Sequence, residues 1–260
     1  VNCECASATD NKAGIVTAAN DYFIVNDEVV TKNRLRSYSK PIVQKGFYVN
    51  GSVTFEKADF NKLVEEKKPT YLLDFNKANP EKLSKSLENY LLIGTERKLE
   101  NRFKCRQRMN WYQVPNIATQ SEAFFFKRAH GYPKLLKNNA EAYVTDSAYM
   151  VESKAGYQIE NIIFSFYNSL TLAFAELEGR YYGGGVLEIT PNEFRALPLP
   201  YANVRNFAEY KDDFKNKVNI EEILIKYNFE ILNTTLNLTI EEIGKVESIR
   251  KKLVSRRLKK

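Results

Sequence analysis

Residues 162 to 178 form the longest apolar run of this 260-residue chain, and their spacing restricts the fold more than any other feature. Ile163, Phe166, Tyr167, Leu170, Phe174 and Leu177 recur at helical intervals as a wide apolar stripe, which Gly179 stops. A helix this apolar lies in a core or in a membrane. Asn161, Ser165, Asn168, Ser169, Glu176 and Glu178 interrupt it, and the uninterrupted stretch falls far short of the roughly 18 residues that a span requires. The run therefore reads as a core helix, a scaffold with no membrane association. A chain of 260 residues can bury such a helix, as one large domain or two small ones. Charged residues at 27% beside 43% apolar ones exclude wholesale disorder.

Around this helix the local signals are short. Extended pieces are expected at Gly14–Val16 and Tyr22–Val25, joined by Asn20-Asp21, and at Phe47–Val49, Val53–Phe55 and Tyr71–Phe75. Residues 58–67 read as helical. Asn79-Pro80-Glu81 predicts a helix start, with Asn as cap and Pro at the first position, after which Leu83, Leu87, Tyr90 and Leu91 share one face. Thr190-Pro191-Asn192-Glu193 is a capping box for a short helix that Pro198 and Pro200 end. Two further boxes, Asn219-x-x-Glu222 and Thr239-x-x-Glu242, open amphipathic helices. The expected fold is α+β: a mixed, mainly antiparallel sheet with packed helices and a C-terminal helical segment. Pro200 to Ala208 reads as a boundary, dividing the chain into residues 1–204 and 205–260.

The net charge of +7 is concentrated. Residues 250–260 carry seven cations and no acid, and the rest of the chain balances at 32 of each sign. A second patch lies at 97–108, where Arg97, Lys98, Arg102, Lys104, Arg106 and Arg108 face Glu100 alone. Lys104, Arg106 and Arg108 alternate with other residues, so a strand here would put all three on one face. The basic end of the last helix reads as a flexible tail that supplies non-specific, salt-sensitive attraction. Three cysteines, Cys3, Cys5 and Cys105, with the single His130, read as unpaired thiols of a reducing compartment and the cytoplasm rather than as a zinc site. The opening at Val1, without Met, basic n-region or apolar h-region, is expected of a piece of a longer protein with no signal peptide.

The Gly-rich phosphate loops, the H-E-x-x-H zinc motif and the G-x-S-x-G nucleophile motif do not occur. Asp59 with Glu66-x-Lys68 superficially fits a metal-dependent nuclease pattern, but a helical 58–67 cannot place its acids on adjoining strands, so chance is the better explanation. The stretch 101–112 interleaves cations with Trp111 and Tyr112, a chemistry that suits a polyanion: cations for phosphates, Arg forks for guanine edges, aromatic faces for stacking. A solvated edge strand guarded by charge is the plainer alternative. Arg180-Tyr181-Tyr182-Gly183-Gly184-Gly185 bares consecutive backbone amides beside a cation, which favours a ligand-facing loop over a tight turn needing one Gly.

Gly14-Ile15-Val16-Thr17-Ala18-Ala19-Asn20-Asp21-Tyr22-Phe23 resembles the opening of the target-recognition region in gamma-type, TaqI-like adenine-specific DNA methyltransferases of restriction-modification systems. The resemblance continues through Lys40–Val43, Tyr71–Phe75, Lys104-Cys105-Arg106-x-Arg108-x-x-Trp111-Tyr112-x-Val114-Pro115, Thr145-Asp146-Ser147 and Phe166–Thr171. It ends with Ala175-Glu176-Leu177-Glu178-Gly179-Arg180-x-Tyr182-Gly183-Gly184-Gly185 and Leu197–Pro200. Ala18 stands where the family usually has Gly. The family's cofactor loop and [ND]-P-P-[YF] catalytic motif are missing, so the resemblance is to the C-terminal specificity half alone.

The resemblance implies sequence-specific duplex DNA recognition for N6-adenine methylation, with S-adenosylmethionine bound by the parent enzyme and no cofactor or catalytic residue in this chain. The implied partners are duplex DNA and a methyltransferase catalytic domain or subunit. The residues expected at DNA are Arg102, Lys104, Arg106, Arg108, Trp111, Tyr112, Arg180, Tyr182, Gly183, Gly184 and Gly185. The alternative is a protein-interaction specificity subunit that docks on a methylase subunit, with the basic tail as its arm.

Overall fold

The computed structural model describes residues 4–49, 51–117, 119–216 and 219–259; Val1 to Cys3 and the last cation, Lys260, lie outside the described residues. Three sheets organise the chain. The largest has the order β1 (Thr9–Ala13), β10 (Ala148–Ser153), β6 (Ala123–Phe126), β8 (Lys134–Asn138) and β4 (Thr54–Phe55). A second runs β2 (Ile24–Val25), β5 (Tyr71–Leu73), β3 (Ser39–Val43) and β9 (Tyr143–Val144). The third joins β11 (Arg180–Tyr182), β12 (Val186–Glu188) and β7 (Arg128–Ala129). Among the described strands only β3 with β9 and β4 with β8 pair in parallel, so the architecture is α+β with mainly antiparallel sheets.

Helices cover the sheets. The first half contributes α1 (Cys5–Ala8), α2 (Asn20–Phe23), α3 (Asp27–Lys32), α4 (Lys57–Glu65), α5 (Lys85–Glu96) and α6 (Phe103–Arg106). The second half adds α7 (Ile159–Phe166), α8 (Ser169–Glu178), α9 (Pro191–Ala196), α10 (Phe207–Lys215), α11 (Ile220–Leu236) and α12 (Ile240–Leu258). Among the described residues no helix is long and apolar enough to cross a membrane. On β6, Ala123 and Phe125 enter one core cluster, and Phe124 and Phe126 enter another. Both faces of that strand are covered, so its sequence is continuously apolar instead of alternating. Tyr210, Phe214, Ile223, Leu224 and Ile231, all beyond residue 204, join the cluster that holds Phe125 and Phe166.

Three of the expected side-chain caps form, at Thr190, Asn219 and Thr239. The expected boxes open α9 and α12, and the Asn219 side chain accepts from the Glu222 amide at 3.0 Å to open α11. The expected helix at 58–67 is α4, and Asp59 accepts from the Glu56 amide at 2.8 Å, so its carboxylate serves the cap.

The apolar run differs from expectation, because it is two helices. Asn168 accepts from the amides of Leu170 and Thr171 at 2.9 and 3.0 Å, ending α7 and starting α8. Phe174 and Leu177 then face solvent rather than the core. Asn79 likewise makes a turn, its side chain accepting from Glu81 N at 3.0 Å, and α5 starts at Lys85 under a Ser84 cap. Phe47–Val49 belongs to a 3-10 turn, and Tyr22-Phe23 closes α2 before the strand begins.

The expected flexible tail is also absent, since α12 runs to Leu258 and packs along α8. Arg250 is buried between Glu221 and Glu247, at 2.5 and 2.7 Å. Burial alone would raise the Glu247 carboxyl, but hydrogen bonds from Arg250 and Ser169 outweigh it and hold the pKa at about 2.

Candidate nucleic-acid interface

The Gly14–Phe23 segment is built around a close approach. A Cβ on Gly14 would stand 2.1 Å from the Thr145 carbonyl oxygen, so only glycine lets Ile15 bridge to Thr145. The chain then turns at Thr17, whose hydroxyl accepts from Ala19 N at 3.1 Å. Ala18 sits at φ +63°. A left-handed residue with a Cβ is strained by about 1–2 kcal/mol, and Gly, which the resemblance expects at this position, would relieve it. Against the larger chain entropy of glycine, Ala18→Gly is expected to stabilise by about 0.5–1 kcal/mol in urea unfolding, and a loss of stability would show that the turn carries no such strain.

The basic stretch 101–112 is not a strand. Local bonds wind it into a turn: Cys105 N and Arg106 N donate to Arg102 O, and Arg108 N donates to Cys105 O. Within 102–108 Cys105 alone is buried, while Arg102, Phe103, Lys104, Arg106 and Gln107 are exposed. Alternating charge buries nothing on either face, so it gives a strand no reason to form. Arg102 and Arg108 serve as rivets on the earlier segment. Arg102 donates to Ala18 O at 3.0 Å and Arg108 to Thr17 O at 2.8 Å, so two blocks that carry the sequence resemblance meet in space. Arg108 also donates to Trp111 O at 3.0 Å and stands 5.7 Å from the Phe23 ring centre; burial pushes its guanidinium pKa down.

Trp111 and Tyr112 pack into the cluster that holds Tyr22 and Phe23. Tyr112 is buried, and Trp111 packs at 5.6 Å on Tyr22, so close to Gly94 that a Cβ there would meet its ring at 2.1 Å. Tyr22 and Tyr90 donate to each other's carbonyls at 2.9 and 2.8 Å, and burial pushes the Tyr90 hydroxyl pKa up to about 12. The cations that project are Lys104 and Arg106, for which no ion pair forms among the described residues.

Two hollows flank Phe103 and Lys104. One, of about 530 Å³, is walled by Thr17–Asn20, Arg102 and Asp146. The other, of about 540 Å³, is lined by Asn76, Gln107, Arg108, Met109 and Gln113. Phe103 (67% exposed) and Met109 (96% exposed) are apolar residues left in water among cations. Gln113 escaped the sequence reading, because only the fold sets it beside Gln107 and Arg108 in the second hollow.

The glycine run occupies a different part of the surface. Gly184 and Gly185 lie at φ +74° and +73°, so the turn itself requires two glycines rather than one. Gly185 is overlaid by Leu258, and its carbonyl accepts from Arg257. Arg180 is paired with Glu193 at 3.0 Å, and Tyr182 lies under Arg128, 5.7 Å from its ring centre. Gly183 and Gly184 are exposed, and a Cβ at either would meet nothing within 4 Å. No group of three or more His, Cys, Asp or Glu among the described residues is placed to hold a metal. Cys105 is a free, buried thiol, and Cys5 is buried.

The sequence profile of the type II methyltransferase M.Eco57I, C-terminal domain, matches residues 3–232. The chain belongs to that family. Among solved structures, this M.Eco57I C-terminal-type chain is similar to the type IIG restriction endonuclease BpuSI, with a TM-score of 0.54 and 13% identity over 99% of this chain and 31% of that one. It is also similar to the type IIL restriction-modification enzyme MmeI, solved in complex with DNA, with a TM-score of 0.47 and 10% identity over 98% of this chain and 34% of that one. The M.Eco57I-type chain thus spans about a third of the length of either. No curated protein matches it in sequence.

Proposed function

We propose that this chain is the target-recognition part of an N6-adenine DNA methyltransferase in a restriction-modification system, TaqI-like in the order of its motifs. The observation that carries this reading is the anchored turn at 102–108. Arg102 and Arg108 bond the carbonyls of Ala18 and Thr17, which fixes the base from which Lys104 and Arg106 project. Lys104 supplies charge for phosphates, and Arg106 with the amides of Gln107 and Gln113 supplies forks matched to base edges. Family membership supports the methyltransferase context, and the fold shared with a type IIG restriction endonuclease supports the restriction-modification setting. The catalytic half, as a further domain or a separate subunit in the cytoplasm, would hold S-adenosylmethionine and the adenine. The residues described above bind and position DNA and take no part in methyl transfer. Arg180, Tyr182 and the glycine turn, on their different part of the surface, form a second contact with DNA, with Gly184 open to a phosphate.

Fluorescence anisotropy with preferred and random duplexes at several salt concentrations tests the assignment. Arg106→Ala is expected to shrink the gap between the two duplexes by about 1–3 kcal/mol, the worth of one bidentate base contact. Lys104→Ala is expected to weaken both equally and to reduce the salt slope by about 1. Unchanged discrimination in Arg106→Ala, with the fold intact, would remove the turn from the recognition surface.

A further inference from the structure

Beyond the 145–147 loop lies a third hollow, of about 640 Å³, lined in part by Lys45, Phe47, Arg128, His130, Lys134 and Ser147. The loop separates it from the first hollow: Asp146 lines one and Ser147 the other. Three basic side chains and the chain's single histidine line it, and no carboxylate among the described residues does. The Lys45 ammonium stands 5.6 Å from the Phe47 ring centre, and Phe47 itself is 59% exposed. Lys134 donates to Gly46 O at 3.1 Å, and burial pushes its pKa down, a cost that a bound anion would relieve. Arg128 is held at the rim by Glu188 and backed by the Tyr182 ring. Clustered cations beside an exposed aromatic ring, in a hollow of ligand size, match a phosphate with a base attached.

We infer that this hollow binds one nucleotide unit of a nucleic-acid strand, its phosphate held by Lys45, Arg128 and Lys134 and its base stacked on Phe47. The inference extends the DNA-recognition reading but uses none of residues 102–113. The phosphate of a free nucleotide shares the chemistry, and the test separates the two sources. Binding of a fluorescein-labelled ten-residue oligothymidylate is measured for the 260-residue chain and for Phe47→Ala, Lys45→Gln and the charge control Lys82→Gln. Phe47 and Lys45 are exposed, so thermal melting should show all variants folded.

Phe47→Ala and Lys45→Gln are each expected to lose at least about fivefold in affinity, and Lys82→Gln is expected to stay at the parent value. Displacement of the oligonucleotide by millimolar deoxyadenylate would support the site with free nucleotides as ligands; displacement by unlabelled strand alone would support it with a strand as the ligand. Equal affinity across the variants, or no oligonucleotide binding by the parent, overturns the inference whatever the duplex does. Failure of Arg106→Ala to alter duplex discrimination would instead strike the recognition turn and leave this hollow standing.

Discussion

Arg257→Ala is expected to lower the stability of the chain by about 3–5 kcal/mol, enough to move the melting temperature by about 10 °C or more. The Arg257 and Glu176 side chains are 1% and 2% exposed. Arg257 Nε and Nη2 donate to the two Glu176 oxygens at 2.7 Å each, and the remaining N–H groups reach the carbonyls of His130, Gly131 and Gly185. All five guanidinium donors are thereby used. Removing the cation leaves the Glu176 carboxylate and the Gly185 carbonyl unpaired in the interior, where each is costly. Arg257 lies beyond residue 232, where the family match ends, yet it pins the glycine turn and Glu176, both within the Ala175–Gly185 block. Deleting residues 250–260 should therefore unfold this corner rather than merely weaken attraction to DNA. The double variant Arg257→Met, Glu176→Met should recover most of the loss, because an apolar pair in that space demands no partner. A single-variant loss below about 1 kcal/mol would mean that the pair is solvated.

The second large effect is expected at Gly14. Gly14→Ala would place a Cβ 2.1 Å from the Thr145 carbonyl oxygen and 2.7 Å from that of Val144, both backbone atoms that cannot rotate away. The segments must part, which strains the bonds from Gly14 N to Ala148 O, Ile15 N to Val144 O and Asp146 N to Ile15 O. Overpacking with loss of ladder bonds is expected to cost about 3 kcal/mol in urea unfolding. The same displacement moves the 145–147 loop that divides two hollows, so DNA affinity should fall as well. A variant within about 0.5 kcal/mol of the parent would show that the approach is looser than the structure has it.

These two sites mark what the sequence could and could not reveal. Thr190, Asn219 and Thr239 were legible as helix starts because a cap is made between residues three apart. The α+β class followed from the same local signals. Asn79 failed as a cap because its side chain satisfies a turn amide first, and Asn168 was missed as a cap because an apolar stripe masks it. The 101–112 stretch misled because periodic charge imitates a strand, whereas one buried cysteine in a turn leaves no period at all. Arg250 and Arg257 looked like a solvated tail since their partners Glu221 and Glu176 are 29 and 81 residues away. Trp111 and Tyr112 were read beside the cations in sequence, but they pack beneath them in space.

The central claim is that the anchored turn at 102–108 reads base sequence in duplex DNA. It is tested most directly by selecting bound duplexes from a random pool with the parent chain and with Arg106→Ala, supplying the catalytic half to both. The account predicts that the parent enriches one defined motif and that Arg106→Ala enriches a motif relaxed at one or two positions while the variant remains folded. Enrichment of the same motif to the same extent by both chains would contradict it.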